Sequence, residues 1–157
     1  PDSVVLGSDT VVVCDNHVLE KPKNFEDSKR MLPDSVVLGS DTVVVCDNHV
    51  LEKPKNFEDS KRMLSDLSGR QHQVMTAVSV VSKEQQHSVV VITDVWFKTL
   101  TEEEIERYWQ SGEPCDKAGS YGIQGLGGRF VTRIEGSYHA VVGLPLFETD
   151  QLIQEFL

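Results

Sequence analysis

Asp41 is the first residue whose surroundings suggest chemistry, because it interrupts an apolar stretch. Val36-Val37-Leu38 precede it and Val43-Val44-Val45 follow it closely. An acid in a buried strand is costly unless it is paired, bound to a ligand or catalytic. The functional interpretation is a general base acting on water, or a carboxylate that holds a divalent cation bridging phosphates. The structural interpretation is that Asp41 caps a turn or ends the strand, and the residues alone favour the two equally.

A second group of reactive side chains borders a glycine-rich segment. Residues 119–128 hold five glycines in ten positions, more than a simple turn needs, so the backbone is expected to approach a ligand closely. Lys117 is a cation that would neutralise phosphate. Gln124 has both a donor and an acceptor, which suits the edge of a pyrimidine base. The alternative is a loop that only turns the chain, and the glycine density favours function.

Lys53 is a weaker candidate for a phosphate contact. It lies between Glu52 and the rigid Pro54, but most lysines are solvated surface residues. His72 and His139 have no spacing typical of metal ligands, so both are predicted to be structural. Ser40 lacks the histidine and acid of a recognisable nucleophile arrangement, which argues against a serine hydrolase.

An exact repeat dominates the first part of the chain. Residues 1–32 and residues 33–64 are identical. Two identical units followed by unrelated sequence do not fit a solenoid, which needs about three repeats for stability. In the second copy, Asn56 predicts a helix that starts at Phe57 and stops near Gly69. In the first copy, Pro33 disfavours helical backbone at the preceding residue, so the same helix is predicted to be cut short.

The remaining patterns predict alternating strands and helices around these groups. Thr101 and Glu104 form a capping box at the start of a helix, and Gly112-Glu113-Pro114 is expected to end it. The other predicted elements are strands at 36–46, 49–51, 74–82, 88–98, 129–134 and 137–142, and a terminal amphipathic helix at 147–157. Trp96, Phe97, Tyr108 and Trp109 are predicted core residues. The fold class is α/β, a mixed twisted sheet with flanking helices.

Composition excludes several classes of function. The 157-residue chain is long enough for one domain with a core, and its formal net charge is −10. Such an acidic surface argues against nucleic-acid binding, although local cations still allow a small phosphorylated ligand. No apolar run is long enough to span a membrane, and no signal peptide is recognisable, so a cytoplasmic location is expected. Cys14, Cys46 and Cys115 form no disulfide framework, which favours a reducing compartment.

Taken in order and spacing, six motifs resemble the Maf family of nucleotide pyrophosphatases. They are Leu38-Gly39-Ser40-Asp41-Thr42, Leu51-Glu52-Lys53-Pro54, Leu67-Ser68-Gly69, Asp116-Lys117-Ala118-Gly119, Gly122-Ile123-Gln124-Gly125 and Val142-Gly143-Leu144-Pro145. The resemblance implies hydrolysis of a nucleoside triphosphate to the monophosphate and diphosphate with Mg²⁺ or Mn²⁺. It also implies a Maf/inosine-triphosphatase-like fold and a homodimer, with no nucleic-acid or membrane partner.

The resemblance also assigns roles to individual residues. Asp41 resembles the family's proton acceptor, and we place the divalent metal there too. Lys53 resembles its phosphate-side lysine, with Lys117 as a further substrate-binding residue. Thr42 and Gln124 resemble the residues that mark the branch acting on dTTP and UTP. A sister branch directed at 7-methyl-GTP usually has Gln and Glu at these two positions.

The sequence departs from the family in one respect. Maf proteins open with a strand and a Ser-x-Ser-Pro-Arg-Arg loop that contacts the triphosphate, and that pattern does not occur here. We therefore interpret residues 1–32 as a duplicated copy of the catalytic strand-turn-helix segment, and residues 33–157 as a Maf-like domain incomplete at its N-terminus. Lys29-Arg30 lies in a predicted helix and is a poor substitute for the loop. The first copy is expected to add a strand but no second site, because Asp9 has no glycine-rich partner of its own.

Three hypotheses remain open at this stage. The first is a pyrimidine nucleotide pyrophosphatase with a role in cell-division arrest and removal of modified nucleotides, as the ordered motifs indicate. The second is a non-catalytic nucleotide-binding or septum-related interaction protein, which the absent arginine loop favours. The third is an inactive, misassembled fragment, which the exact repeat favours. Diphosphate release from dTTP or UTP discriminates the first from the other two.

Overall fold

The computed structural model describes residues 4–7, 12–14, 17–19 and 36–156. Strands in these ranges are β1 (Val4–Gly7), β2 (Val12–Cys14), β3 (His17–Leu19), β4 (Val36–Cys46), β5 (His49–Leu51), β6 (Gln71–Val81), β7 (Gln86–Phe97) and β8 (Val131–Glu135). Helices are α1 (Phe57–Leu67), α2 (Glu102–Gln110), α3 (Tyr138–Val142) and α4 (Leu146–Gln154). Short 3-10 turns occupy Glu113–Asp116, Ala118–Ser120 and Leu126–Phe130. The predicted mixed α/β class is confirmed.

The main sheet has the strand order β1-β4-β6-β7-β8, with β5 paired to β4. Strands β1 and β4 are parallel, and Val4 pairs with Val36, its equivalent in the repeat. The first copy therefore adds a strand, as expected. Strands β7 and β8 are antiparallel, with an irregularity between Trp96 and Phe97. Strands β2 and β3 form a separate two-stranded sheet.

Both helix starts predicted from capping residues are confirmed. The Asn56 side chain accepts a hydrogen bond from the Asp59 backbone at 2.9 Å, which fixes the first turn of α1. The Thr101 hydroxyl accepts from the Glu104 backbone at 3.2 Å, and the Glu104 carboxylate accepts from the Thr101 backbone at 3.0 Å. This reciprocal pair satisfies two backbone donors that have no partner within α2.

The described residues fall into two compact units, which are taken separately. In the first, they lie within Pro1–Asp41, Ala77–Val90 and Leu146–Leu157. Its apolar interior includes Leu38, Val78 and Val80, which are buried. Two polar side-chain contacts lie at its surface. The Ser79 and Ser88 hydroxyl oxygens are 2.6 Å apart, and the His87 ring lies 2.9 Å from the Glu155 carboxylate.

The second unit comprises Thr42–Thr76 and Val91–Pro145. One cluster of buried side chains forms its core. Its members come from β4, β5, α1, β6, β7, α2, the link between β7 and α2, and residues 121–130: Val44, Cys46, Leu51, Met63, Leu64, Leu67, Val74, Val95, Phe97, Leu100, Ile105, Tyr108, Tyr121 and Phe130. Phe97 and Tyr108 are core residues as predicted, whereas Trp96 and Trp109 are half-buried.

Three details differ from the sequence predictions. Residues 137–142 were expected to form a strand, but they form α3, because the Ser137 hydroxyl accepts from the Ala140 backbone at 3.1 Å and caps the helix. The terminal helix begins at Leu146 and extends to Gln154. Strand β4 is less buried than its apolar flanks indicate, since two of the three residues in each flank are only partly buried and Asp41 is exposed.

Several predictions fall outside the described residues. They are the prediction that Asp9 forms no second active site, the shortened helix at Phe25, and the placing of Lys29-Arg30 in a helix. Within the described ranges, no helix combines the length and apolar character that crossing a membrane requires. Cys46 is a buried free thiol and Cys115 an exposed one.

Candidate active site

Strand β4 presents Asp41 and Thr42 as consecutive residues, the first exposed and the second half-buried. The hydroxyl groups of Thr42 and Thr76 lie 2.9 Å apart. Thr76 donates its single hydroxyl hydrogen to the Ala140 carbonyl at 2.6 Å, so Thr42 is the donor in the first pair. A Cβ at Gly143 would lie 3.8 Å from the Thr42 hydroxyl. Thr42 is therefore fixed beside the segment that links α3 to Pro145.

Lys53 follows the hairpin that β4 makes with β5. Val44 pairs with Leu51 in this antiparallel ladder, so the chain after β5 runs back towards Thr42. The Glu52 carbonyl accepts a hydrogen bond from the Gly119 backbone at 3.2 Å. That bond joins the segment carrying Lys53 to the glycine-rich segment, which the sequence had placed 66 positions away.

Asp116 shows that Lys53 and Lys117 share one electrostatic environment. The Lys117 ammonium group donates to the Asp116 carboxylate at 2.8 Å, and this hydrogen bond is the main reason that the pKa of Asp116 lies below its ordinary value. The charge of Lys53 lowers the same pKa further. Both lysines are exposed. The charges of both predicted phosphate-binding lysines therefore act on the Asp116 carboxylate.

Two buried side-chain hydrogen bonds hold the glycine-rich segment in place. The His72 Nε2 atom lies 2.7 Å from the Tyr121 hydroxyl, and the Ser60 and Ser120 hydroxyl oxygens lie 2.5 Å apart. Burial lowers the pKa of His72 to about 4, so the ring is neutral near pH 7. This residue is structural, as predicted, while His139 is exposed. The segment is therefore fastened to both β6 and α1.

Gly119 is needed where the segment passes β4. Its φ of +67° lies in the left-handed region, and a Cβ there would meet the Val44 Cγ2 atom at 2.8 Å. Any other residue would be strained and would clash with the core. The glycine thus allows the backbone to reach the Glu52 carbonyl directly after Lys117.

Gln124 is exposed and lies on the turn between Gly122 and Gly125, whose backbone groups bond at 3.3 Å. An exposed amide on a tight glycine turn can turn its donor and acceptor toward a ligand. The described residues therefore place Lys53 and Lys117 where both charges act on Asp116, Thr42 beside Gly143, and Gln124 on the glycine turn. Asp41 belongs to the other compact unit.

Glu113 is a residue of this region whose part the sequence reasoning missed. Its side chain is half-buried and accepts hydrogen bonds from the Tyr108 hydroxyl and from the backbones of Leu126 and Gly127. In the sequence, Gly112-Glu113-Pro114 indicated only the end of a helix. The signal that could have found it is the run of glycines ten or more positions later, which leaves backbone donors uncovered.

No three His, Cys, Asp or Glu side chains converge as a metal site in the part of the chain that the structure describes. This donor set does not suit a metal held by protein ligands alone, such as structural zinc. It does suit Mg²⁺ or Mn²⁺ bound by one or two carboxylates together with substrate phosphates. The exposed carboxylate of Asp41 could serve as one such ligand.

Comparison with known proteins adds the family. The model for Maf-like protein matches residues 30–156. The chain is 92% identical over its whole length to a dTTP/UTP pyrophosphatase of Vibrio parahaemolyticus serotype O3:K6 (strain RIMD 2210633). Over 99% of its length it is 78% identical to one of Vibrio vulnificus (strain YJ016), and 69% identical to one of Vibrio cholerae serotype O1 (strain ATCC 39315 / El Tor Inaba N16961). The chain covers 66% of each of these three relatives, just under two thirds of their length.

Proposed function

This chain belongs to the Maf-like protein family, and we propose that it is a pyrophosphatase that hydrolyses dTTP and UTP to the monophosphate and diphosphate. The observation that carries the proposal is the hydrogen bond from the Gly119 backbone to the Glu52 carbonyl, which joins the segment of Lys53 to the glycine-rich segment next to Lys117. Two exposed ammonium groups of this kind suit the oxygens of a polyphosphate. The names of the relatives, dTTP/UTP pyrophosphatase, supply the substrate class.

In this proposal Asp41 is the general base. Its exposed carboxylate takes a proton from water as the water oxygen bonds to the α-phosphorus. The bond between the α-phosphorus and the bridging oxygen breaks, and diphosphate leaves with the electron pair. Lys53 and Lys117 stabilise the negative charge on the transferred and departing phosphates. The reaction consumes one water and needs no redox partner.

A divalent cation, Mg²⁺ or Mn²⁺, is part of the same proposal. When bound, it would neutralise phosphate charge and polarise the phosphorus–oxygen bond. Asp41 is the residue that we expect to hold it, together with phosphate oxygens of the substrate.

Thr42 and Gln124 are proposed to select the pyrimidine base. The Gln124 amide offers one donor and one acceptor, which match the adjacent carbonyl and N–H groups of uracil and thymine. Thr42 is held in place by its hydrogen bond to Thr76, so its side chain can line the binding site without rearranging. A site built to pair both groups rejects a base that presents the opposite pattern.

The test is diphosphate release from dTTP and UTP in the presence of Mg²⁺ or Mn²⁺, with ATP, GTP and CTP as comparisons. We expect turnover of the first two substrates and loss of turnover when the metal is chelated. Asp41→Asn supplies the background, because it keeps the shape of the side chain but removes the base. Turnover of dTTP and UTP no faster than this background would reject the enzymatic proposal, and binding of a non-hydrolysable UTP analogue would then favour a nucleotide-binding protein.

The cellular part of the proposal follows from the chemistry. Depletion of dTTP would slow DNA synthesis, so overproduction of the chain should lengthen cells, and Asp41→Asn should not. The same hydrolysis would remove modified pyrimidine triphosphates. We propose a cytoplasmic location, because nucleoside triphosphates are the substrates. Light scattering of the purified chain tests the homodimer that the family resemblance implies.

A further inference from the structure

Glu113 organises the turn that carries Gln124. Its Oε1 atom accepts hydrogen bonds from the Tyr108 hydroxyl at 2.6 Å and from the Gly127 backbone at 2.9 Å. Its Oε2 atom accepts from the Leu126 backbone at 2.8 Å. Three donors thus converge on one carboxylate, two of them from backbone that follows Gln124 directly.

Tyr108 completes the arrangement on the other side of the turn. Its hydroxyl donates to Glu113 and accepts from the Gly122 backbone at 3.0 Å. The ring is 1% exposed and packs edge-on against Phe130 at 5.0 Å, so α2 holds it rigidly. Gly122 is therefore fixed through Tyr108, and the backbone after Gln124 is fixed through Glu113.

The glycines of the turn leave room for this carboxylate and phenol. A Cβ at Gly125 would overlap the Glu113 carboxylate, and one at Gly127 would lie 2.6 Å from the Tyr108 hydroxyl. Real Cβ atoms do not approach so closely, so larger side chains would push the turn away. Much of the glycine content that suggested a ligand thus accommodates Glu113.

Charge and hydrogen bonding agree at Glu113. Burial on its own would raise the pKa of the carboxyl group, but the hydrogen bonds from Tyr108, Gly127 and Leu126 and the charge of Lys117 outweigh it. The pKa therefore lies below its ordinary value, and the group is ionised near pH 7. An ionised carboxylate is an acceptor only, which matches its three donors.

We propose that Glu113 is a positioning residue for base selection: its carboxylate, with Tyr108, holds residues 122–127 so that the Gln124 amide faces the pyrimidine. Glu113 itself does not contact the substrate. The inference rests on the proposed function for the identity of the base, but the fixed turn is independent of turnover. Loss of the carboxylate should free Gln124. Its main effect should be weaker discrimination between nucleotide bases, with a smaller effect on folding stability.

The test compares Glu113→Gln with Glu103→Gln, a matched change at an exposed acid on α2 that pairs with Arg107. In Glu113→Gln the amide nitrogen must face a donor, which breaks at least one of the three bonds. We expect kcat/KM for UTP to fall about 10-fold to 100-fold, mainly through KM, because small displacements of a recognition group are costly. The ratio of kcat/KM for UTP to that for ATP should fall, whereas Glu103→Gln should leave both values unchanged.

Hydrogen exchange supplies a readout that does not depend on catalysis. The backbone amides of Gly122, Leu126 and Gly127 should lose protection in Glu113→Gln, while amides of α1 and β6 keep theirs. Tyr108→Phe provides a second variant should Glu113→Gln not fold, because it deletes the hydroxyl and keeps the ring in the core. It should expose Gly122 most and reduce the UTP-to-ATP ratio in the same direction.

The outcomes are separable. An unchanged ratio of kcat/KM for UTP to that for ATP in Glu113→Gln overturns the inference. This applies if activity stays full, and equally if activity falls by the same factor for all nucleotides while amide protection is lost throughout the fold. If the wild-type chain hydrolyses no nucleotide, the proposed activity fails, and selectivity is measured by calorimetry with non-hydrolysable UTP and ATP analogues. A lower preference for the UTP analogue in Glu113→Gln then supports the inference, and an equal preference or no binding by the wild-type chain overturns it.

Discussion

The two copies of the repeat share every residue, yet they are placed differently. Val12 pairs with Leu19 in the first copy as Val44 pairs with Leu51 in the second, so both form a hairpin of the same register. The first hairpin is a separate two-stranded sheet, whereas the second belongs to the main sheet. The local sequence is therefore sufficient for the hairpin register, and its place in the fold is decided by the rest of the chain.

The partners of the second copy explain the difference. Gly119 bonds to the Glu52 carbonyl, Ser120 to Ser60, and Arg70 to Asp47. Each of these partners lies after the repeat and occurs once. Each partner is present once, so it can bond to only one of the two hairpins. Paired substitutions at equivalent positions of the two copies test this account.

The largest contrast is expected between Asp41→Asn and Asp9→Asn. The first removes the proposed general base and should lower kcat for UTP by about 10²-fold to 10⁴-fold. The second should leave kcat within twofold, because the glycine-rich segment with Lys117 and Gln124 is present only once. Steady-state diphosphate release measures both. Equal losses would mean that the copies share the chemistry, and a loss in Asp9→Asn alone would place the site in the first copy.

Leu64→Ala and Leu32→Ala compare the helices of the two copies through stability. Leu64 is fully buried in the core of its unit, so its truncation should lower the free energy of unfolding by about 2–5 kcal/mol. Leu32 is followed by Pro33, which disfavours the helical backbone that would bury it. We expect less than half the loss in urea unfolding monitored by circular dichroism. Equal losses would contradict the asymmetry between the copies.

Sequence patterns predicted the elements whose signals are local. Capping residues predict the starts of α1 and α2, because capping acts within four residues of the chain; they are Asn56, Thr101 and Glu104. The β4–β5 hairpin follows from a two-residue turn at Asp47 and Asn48, both with positive φ. These features depend on neighbours in the chain, which a single sequence shows directly.

The rest depended on contacts between distant residues. Residues 137–142 contain two valines and were predicted as a strand, but Thr76 donates to the Ala140 carbonyl from 64 positions away and Ser137 caps the helix. Glu113 was similarly unrecognised, because its three donors become neighbours only after the glycine-rich segment has folded back on α2. The candidate residues of the site could be named from motifs, but their supports could not.

Lys53→Met and Lys21→Met compare the copies at the phosphate contact. The first removes a cation whose charge contributes to lowering the pKa of Asp116. A hydrogen bond to a charged group contributes about 1.5–3 kcal/mol, so kcat/KM for UTP should fall about 10-fold to 100-fold. Lys21→Met should change kcat/KM by less than twofold at equal ionic strength. A similar fall in both would indicate a general electrostatic effect of net charge and would remove Lys53 from the site.

The smallest contrast is expected between Asp47 and Asp15. Both oxygens of Asp47 accept from the Arg70 guanidinium, at 2.5 and 2.6 Å. The hydrogen bond from Arg70 is the main cause that lowers the pKa of Asp47. The position equivalent to Arg70 after Asp15 is Leu38, which cannot form such a bond. Carboxyl NMR titration should therefore give Asp47 the lower pKa of the two.

The sign of this effect on stability follows from linkage. A carboxyl whose pKa is lower in the folded state stabilises that state above its unfolded pKa, and the contribution is lost as the pH falls through the folded value. Asp47 is exposed, so the pH dependence that it contributes should be slight and screened by salt. Arg70→Ala should raise the pKa of Asp47 to that of Asp15 and leave Asp15 unchanged. If Asp15 instead moved with the substitution, the guanidinium would serve the first copy, and the difference between the copies would not arise from partners that only the second one reaches.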